Sequence, residues 1–219
     1  MILDREILTI CQKERFPYSI KVDDGLVLDV FEEVFSPKYF DDSLFFAKSL
    51  LDVIPNSSTF LEIGVGTGII PLILREKISK CVGVDINQNA VDNARENFKK
   101  YKMDSWRVFR GDVFDSLNSD EEFDIIFWNF PFLHFEKELS DYEKCLADKE
   151  YLGIKKFIEQ AFNYTTRNGR VFFGLSISIG KLDKIMRFVI DSGLEVKILN
   201  QTFSHREKGS CDFTLFELL

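Results

Sequence analysis

Phe60-Leu61-Glu62-Ile63-Gly64-Val65-Gly66-Thr67-Gly68 decides the fold of this 219-residue chain. Its first four residues read as a buried strand, and the glycines then mark a tight turn ahead of the apolar run Ile69 to Leu74. Glycine there permits the positive φ of the turn and lets a ligand approach bare backbone, while the unpaired N–H groups of the following helix face it. Outward from this segment the pattern alternates. Strand 59–63, helix 68–77, strand 80–85, helix 88–100 and strand 106–110 are followed by strand 123–128, a long loop, helix 150–166, strand 170–175 and helix 181–191. Two last strands, 194–203 and 211–218, can pair antiparallel across the polar loop Ser204 to Ser210. Such order predicts an α/β protein with a seven-stranded, mostly parallel sheet, an antiparallel last strand and helices on both faces. Upstream stand a short helix within 2–15, a hairpin of strands 18–22 and 26–30 around Asp23-Asp24-Gly25, and a helix over 41–52. The expected division is an N-terminal helix-and-hairpin extension, 1–40, and a main domain, 41–219.

Composition narrows the function. The chain carries 36 acidic and 28 basic residues, a net charge of -8, which argues against a broad phosphate-binding surface. Its cysteines, Cys11, Cys81, Cys145 and Cys211, form no C-x-x-C pair, and His134 and His205 do not complete a zinc ligand set. Cysteine usage and an early charged N-terminus without a signal-peptide pattern point to a cytoplasmic protein, and no apolar run is long enough to span a membrane.

A nicotinamide-binding G-x-G-x-x-G would need its third glycine at position 69, where Ile69 stands; the glycines fall at 64, 66 and 68. Asp85 closes the second strand in Val82-Gly83-Val84-Asp85, a place from which a carboxylate reaches two ribose hydroxyls. Asp112, in Arg110-Gly111-Asp112-Val113 after the third strand, is positioned to accept from an adenine amino group. In this order Glu62 to Gly68, Asp85 and Asp112 resemble the cofactor motifs of class I S-adenosylmethionine-dependent methyltransferases, a likeness covering roughly residues 40–219. The resemblance implies a Rossmann-like fold and S-adenosyl-L-methionine as cofactor. It places Gly64, Gly66, Thr67 and Gly68 around the methionine part, Glu62 at the amino end, Asp85 and Ile86 at the ribose, and Asp112 and Val113 at the adenine.

After the fourth strand the chain reads Asn129-Phe130-Pro131-Phe132, which resembles the N-P-P-[YF] motif of methyltransferases acting on planar amide or amino nitrogen, including HemK-type glutamine methyltransferases and nucleic-acid adenine methyltransferases. An amide nitrogen is a poor nucleophile, so such a site has to fix it and favour charge building on it. Asn129 Oδ1 and the Phe130 carbonyl can accept the two N–H hydrogens, and the Phe132 ring can cover the flat group. The resemblance also places Asn129 beside the cofactor. Phe130 replaces the first proline of the motif, so rigidity has to come from packing of Phe130 beside Pro131.

Val34 to Phe40 is similar to the HemK-type segment that passes over the cofactor pocket, and Leu146 to Leu152 to the stretch entering the helix after the catalytic loop, with Asp148 also readable as a helix cap. His205, Arg206 and Lys208 are candidates to meet an acidic or phosphorylated substrate, and His134 reads as a partly buried loop histidine. The leading expectation is N-methylation of a glutamine-bearing protein. The alternatives are an adenine or guanine N-methyltransferase on RNA, with or without a partner chain, a small-molecule methyltransferase, and a cofactor-binding subunit or scaffold.

Overall fold

A computed structural model describes residues 15–22, 25–140, 143–206 and 209–219, with side chains of 204–206 and 209–211 left aside. The helix expected within 2–15 lies outside them. Strands β1 (Tyr18–Lys21) and β2 (Val27–Val30) pair antiparallel as a hairpin. The main sheet follows with α1 (Asp42–Val53), β3 (Ser58–Ile63), α2 (Ile69–Leu74), β4 (Ile78–Asp85), α3 (Gln88–Lys100), β5 (Arg107–Arg110) and β6 (Phe123–Asn129). Short strands β7 (Leu133–Phe135) and β8 (Ala147–Lys149) precede α4 (Leu152–Gln160), β9 (Thr165–Leu175), α5 (Leu182–Asp191), β10 (Val196–Arg206) and β11 (Gly209–Leu218).

The seven strands lie in the order β10-β11-β9-β6-β3-β4-β5. Only β11 runs against the rest, pairing antiparallel with both β9 and β10. Side chains alternate between two cores, as the period of two requires. Phe60, Ile125, Phe127, Phe172 and Leu215 face α1, α2 and α3, whereas Leu61, Ile126, Val171, Phe173 and Phe216 face α4 and α5.

Three expectations need correction. The long loop after β6 holds a parallel pair, β7 with β8, in which Leu133 faces Ala147 and Phe135 faces Lys149. Helix 150–166 is shorter, because after Gln160 the chain tightens into a 3-10 turn, Ala161–Tyr164, and β9 starts at Thr165. The polar loop before the last strand contracts to positions 207–208, outside the described residues, since β10 continues to Arg206 and β11 begins at Gly209.

The hairpin is joined to α3 by a ladder of side chains. Asn93 Oδ1 accepts from Phe31 N at 3.0 Å, Asn97 Oδ1 from Asp29 N at 2.9 Å, and the Tyr101 hydroxyl from Val27 N at 2.6 Å. Two strand residues rise about 6.7 Å and four helical residues about 6.0 Å, so the alternate N–H groups of Val27, Asp29 and Phe31 meet successive turns at Tyr101, Asn97 and Asn93. Asn97 Nδ2 also donates to the Asp29 and Thr67 carbonyls, each at 2.9 Å, tying hairpin, helix and glycine loop at one buried amide. Asn97→Ala strands these partners and is expected to destabilise the protein by about 2–3 kcal/mol. Urea unfolding would read this as a lower midpoint at unchanged slope.

Candidate active site

The C-terminal ends of β3, β4, β5 and β6 gather the candidate residues on one edge of the sheet. Gly64, Gly66 and Gly68 all hold positive φ, at 65°, 54° and 76°. Their surroundings differ. A Cβ on Gly68 would lie 2.5 Å from the Phe98 ring, and one on Gly64 2.8 Å from Trp128 Nε1, so these two positions admit packing partners; at Gly66 nothing stands closer than 4.0 Å. Gly66 is therefore the open face of the loop.

Asp85 holds that loop in place. Its Oδ2 accepts from Gly66 N at 3.0 Å and its Oδ1 from Asn87 N at 2.9 Å, while Gly64 N donates to the Val84 carbonyl at 2.7 Å. Ile86 is half-buried beside it, its carbonyl taking Arg110 Nε at 3.2 Å. The Val34 to Phe40 segment arrives next to the same loop, because Asn87 Nδ2 donates to the Glu33 carbonyl at 2.7 Å. Beneath it Glu62 is 2% exposed, and burial together with the Asp85 carboxylate pushes its carboxyl well above the ordinary range. Glu62 Oε2 and the Thr67 hydroxyl are buried without a hydrogen-bond partner.

Asp112 is exposed after β5, ion-paired to Lys156 of α4 at 3.3 Å; Lys156 also reaches Asp115 at 2.7 Å. Val113 is buried with φ 56°, a strained setting for a β-branched residue that holds this turn to one course.

At the end of β6, Asn129 Nδ2 donates to Asp42 Oδ2 at 2.7 Å, and Asn129 Oδ1 is buried without a partner. With Nδ2 given to Asp42, Oδ1 is the end of the amide left over. Asp42 reaches it because α1 lies close to the sheet. One turn on, Phe46 rests where a Cβ on Gly174 would come within 2.4 Å of the ring, and Gly174 is the β9 partner of Asn129. Phe130 is fully buried, stacked on Phe173 with centroids 4.7 Å apart and edge-on to Phe157 and Trp128, and its N–H donates to the Gly174 carbonyl at 3.0 Å. Packing thus restrains the residue that stands in place of proline. Pro131 is buried beside it, and Phe132 is half-buried, with its carbonyl accepting from the Tyr151 hydroxyl at 2.7 Å.

Asp42, Trp128 and Tyr151, which the structure sets against Asn129, Gly64 and Phe132, do not stand out in the sequence. Asp42 reads from sequence only as an acidic residue in the first turn of a helix, where it is favourable for the dipole alone. Asp148 caps α4, its Oδ2 accepting from Ile154 N at 2.9 Å, and burial raises its carboxyl above the usual range. Of 204–210, positions 204–206 and 209–210 are backbone of β10 and β11 and 207–208 lie outside the described residues, and His134 lies on β7 with its ring edge-on to Tyr151.

The family model described as methyltransferase small domain matches residues 28–190. A Methanocaldococcus jannaschii protein, named as a candidate protein N5-glutamine methyltransferase, is 34% identical over 154 residues, covering 68% of this chain and 75% of its own length. A tRNA1(Val) (adenine(37)-N6)-methyltransferase of Glaesserella parasuis is 25% identical over 129 residues, 58% of this chain and 54% of that one. Among solved structures, Trm5b of Pyrococcus abyssi shares the fold with a TM-score of 0.64 at 17% identity, covering 93% of this chain and 57% of its own. The chain thus spans little more than half the length of the latter two. With the family match extending over most of the chain, it belongs to the methyltransferase small domain family and is an S-adenosyl-L-methionine-dependent methyltransferase.

Proposed function

We propose that the acceptor is the side-chain amide of a glutamine in a protein. The observation that carries this reading is the Asn129 amide, locked by Asp42 so that its buried, unpartnered Oδ1 is the atom left to receive an N–H. The name of the Methanocaldococcus relative supports the same acceptor.

The residues present fit the cofactor. Glu62 Oε2 and the Thr67 hydroxyl are orphaned acceptors under the glycine loop, suited to an ammonium group, and Asp85 stands beside the open face at Gly66 for ribose hydroxyls. When bound, S-adenosyl-L-methionine supplies an electrophilic methyl group on a sulfonium. The chain's part is positioning. Asn129 Oδ1 takes one hydrogen of the substrate NH2 and the Phe130 carbonyl the other, which directs the nitrogen lone pair toward the glycine loop. The Asp42 carboxylate polarises the Asn129 amide and strengthens Oδ1 as an acceptor while positive charge grows on nitrogen. Phe132 covers the planar amide, and the nitrogen then releases its proton to water.

Two experiments test these roles. Asn129→Ala is expected to lower kcat by about 10²–10³-fold with cofactor affinity retained, and Asp42→Asn to lower kcat while KM for cofactor stays constant. Purified protein, methyl-labelled cofactor and a lysate from cells lacking the enzyme supply the assay. Label released by protease as methylglutamine supports the reading, and label released by nuclease overturns it in favour of an exocyclic base amine, the acceptor named for the Glaesserella relative.

Glu62→Gln separates fold stability from binding. With its folded pKa raised, Glu62 binds more protons folded than unfolded, so its contribution falls as pH rises above the ordinary carboxylate range. The variant is expected to gain Tm at pH 7 without cofactor, about 2–4 °C per kcal/mol relieved, with the gain vanishing toward pH 4. Its cofactor affinity is expected to drop roughly tenfold or more, as loss of a hydrogen bond to a charged group would produce. Isothermal calorimetry and thermal melts read the two effects.

A further inference from the structure

His134, Lys181 and Lys184 form a cluster that the proposed transfer leaves unused. Lys184 Nζ lies 2.9 Å from His134 Nε2 and Lys181 Nζ 3.2 Å from His134 Nδ1. These contacts are not both hydrogen bonds. Ammonium groups only donate, and a neutral imidazole has one lone pair and one N–H, so one ring nitrogen points an N–H at a cation. Protonating the ring removes even the remaining acceptor. Neither lysine has a carboxylate partner among the described residues, although Glu136 is near enough to act on the ring.

The cluster shares a residue with the acceptor loop. The Tyr151 hydroxyl donates to the Phe132 carbonyl at 2.7 Å and accepts from Lys181 N at 3.1 Å, and the His134 ring packs edge-on against Tyr151 at 4.9 Å. An anion beside either ammonium group would give it the partner it lacks, next to the Tyr151 side chain that holds the Phe132 carbonyl.

We propose that His134, Lys181 and Lys184 bind a carboxylate carried by an acidic residue close to the methylated glutamine of the protein substrate. This rests on the glutamine reading above. The arrangement favours an acidic peptide over RNA. Two ammonium groups about one ring make a compact cationic spot, whereas RNA affinity is built from several phosphates met along a basic track, and this chain has a net charge of -8.

The test is binding, read without turnover. The chain has two histidines, His134 and His205, so a His205→Asn variant leaves one imidazole to follow by 15N–1H spectroscopy. Burial, then Lys184 and Lys181, hold His134 below the usual imidazole range. A short glutamate-rich peptide without glutamine is expected to move the His134 resonances and raise its titration midpoint. In the Lys181→Gln, Lys184→Gln double variant the midpoint is expected to start higher and the peptide affinity to fall at least tenfold. No response in the parent protein, or an equal response to an uncharged peptide, overturns the site. A tighter response to single-stranded RNA overturns the peptide as occupant. A peptide response combined with label in nucleic acid alone, in the methylation assay, separates failure of the glutamine reading from failure of the anion site.

Discussion

Strands β3 and β6 are neighbours and end in register, with Ile63 opposite Trp128, and the site depends on that pairing. The next residues along the two strands are Gly64 and Asn129, so the glycine loop and the acceptor loop spring from adjacent positions. No helix or long connection intervenes to blur their separation, which is set by the spacing of about 4.8 Å between hydrogen-bonded strands. Methyl transfer needs donor and acceptor held close to van der Waals contact. The sheet supplies the alignment, and the helices fix what the loops do beyond it. Trp128 fills the space over Gly64, Phe98 that over Gly68, and only the backbone at Gly66 is left open.

The order of elements, the parallel sheet and the glycine turn were all legible, because each rests on short-range rules: the period of apolar residues, glycine at positive φ, a strand leading into a helix. Gly64, Asp85 and Asn129 stand out in the sequence because they lie at strand ends, and the structure brings them to one edge of the sheet. What stayed hidden depends on long-range geometry. Asp42 meets Asn129 across 87 positions of sequence, through the seating of Phe46 on Gly174. The asparagine ladder of α3 reads from sequence as the polar face of an amphipathic helix, but Asn93 and Asn97 are buried and bind the hairpin. The β7 and β8 pair is three residues long on each side, too short for a periodic signal, and is set by the surrounding loop contacts.

Phe130 illustrates how one local constraint can be exchanged for another. Proline would limit φ through its ring, at any stage of folding. Phenylalanine limits the loop only once Phe173, Phe157 and Trp128 are assembled around it, through burial of a side chain contributing about 1.5–3 kcal/mol. The acceptor geometry therefore depends on the integrity of the core on the α4 side. Its backbone anchor, the bond from Phe130 N to the Gly174 carbonyl, serves the opposite face as well, since Gly174 is where Phe46 of α1 rests. Both cores meet at this peptide unit.

Polarity along the sheet edge follows the same economy. Buried acceptors without protein partners, Glu62 Oε2 and Asn129 Oδ1, stand at the ends of β3 and β6, whereas the excess donors, Lys181 and Lys184, stand beyond Phe132 against His134. Leaving acceptors buried and unpaired costs stability, and so does crowding two cations on one imidazole. Each cost is relieved by a ligand of the opposite character. An ammonium group suits Glu62, an N–H suits Asn129, and an oxyanion suits the lysines. On the proposed reading these three demands answer to the cofactor's amino end, the substrate amide and its acidic flank.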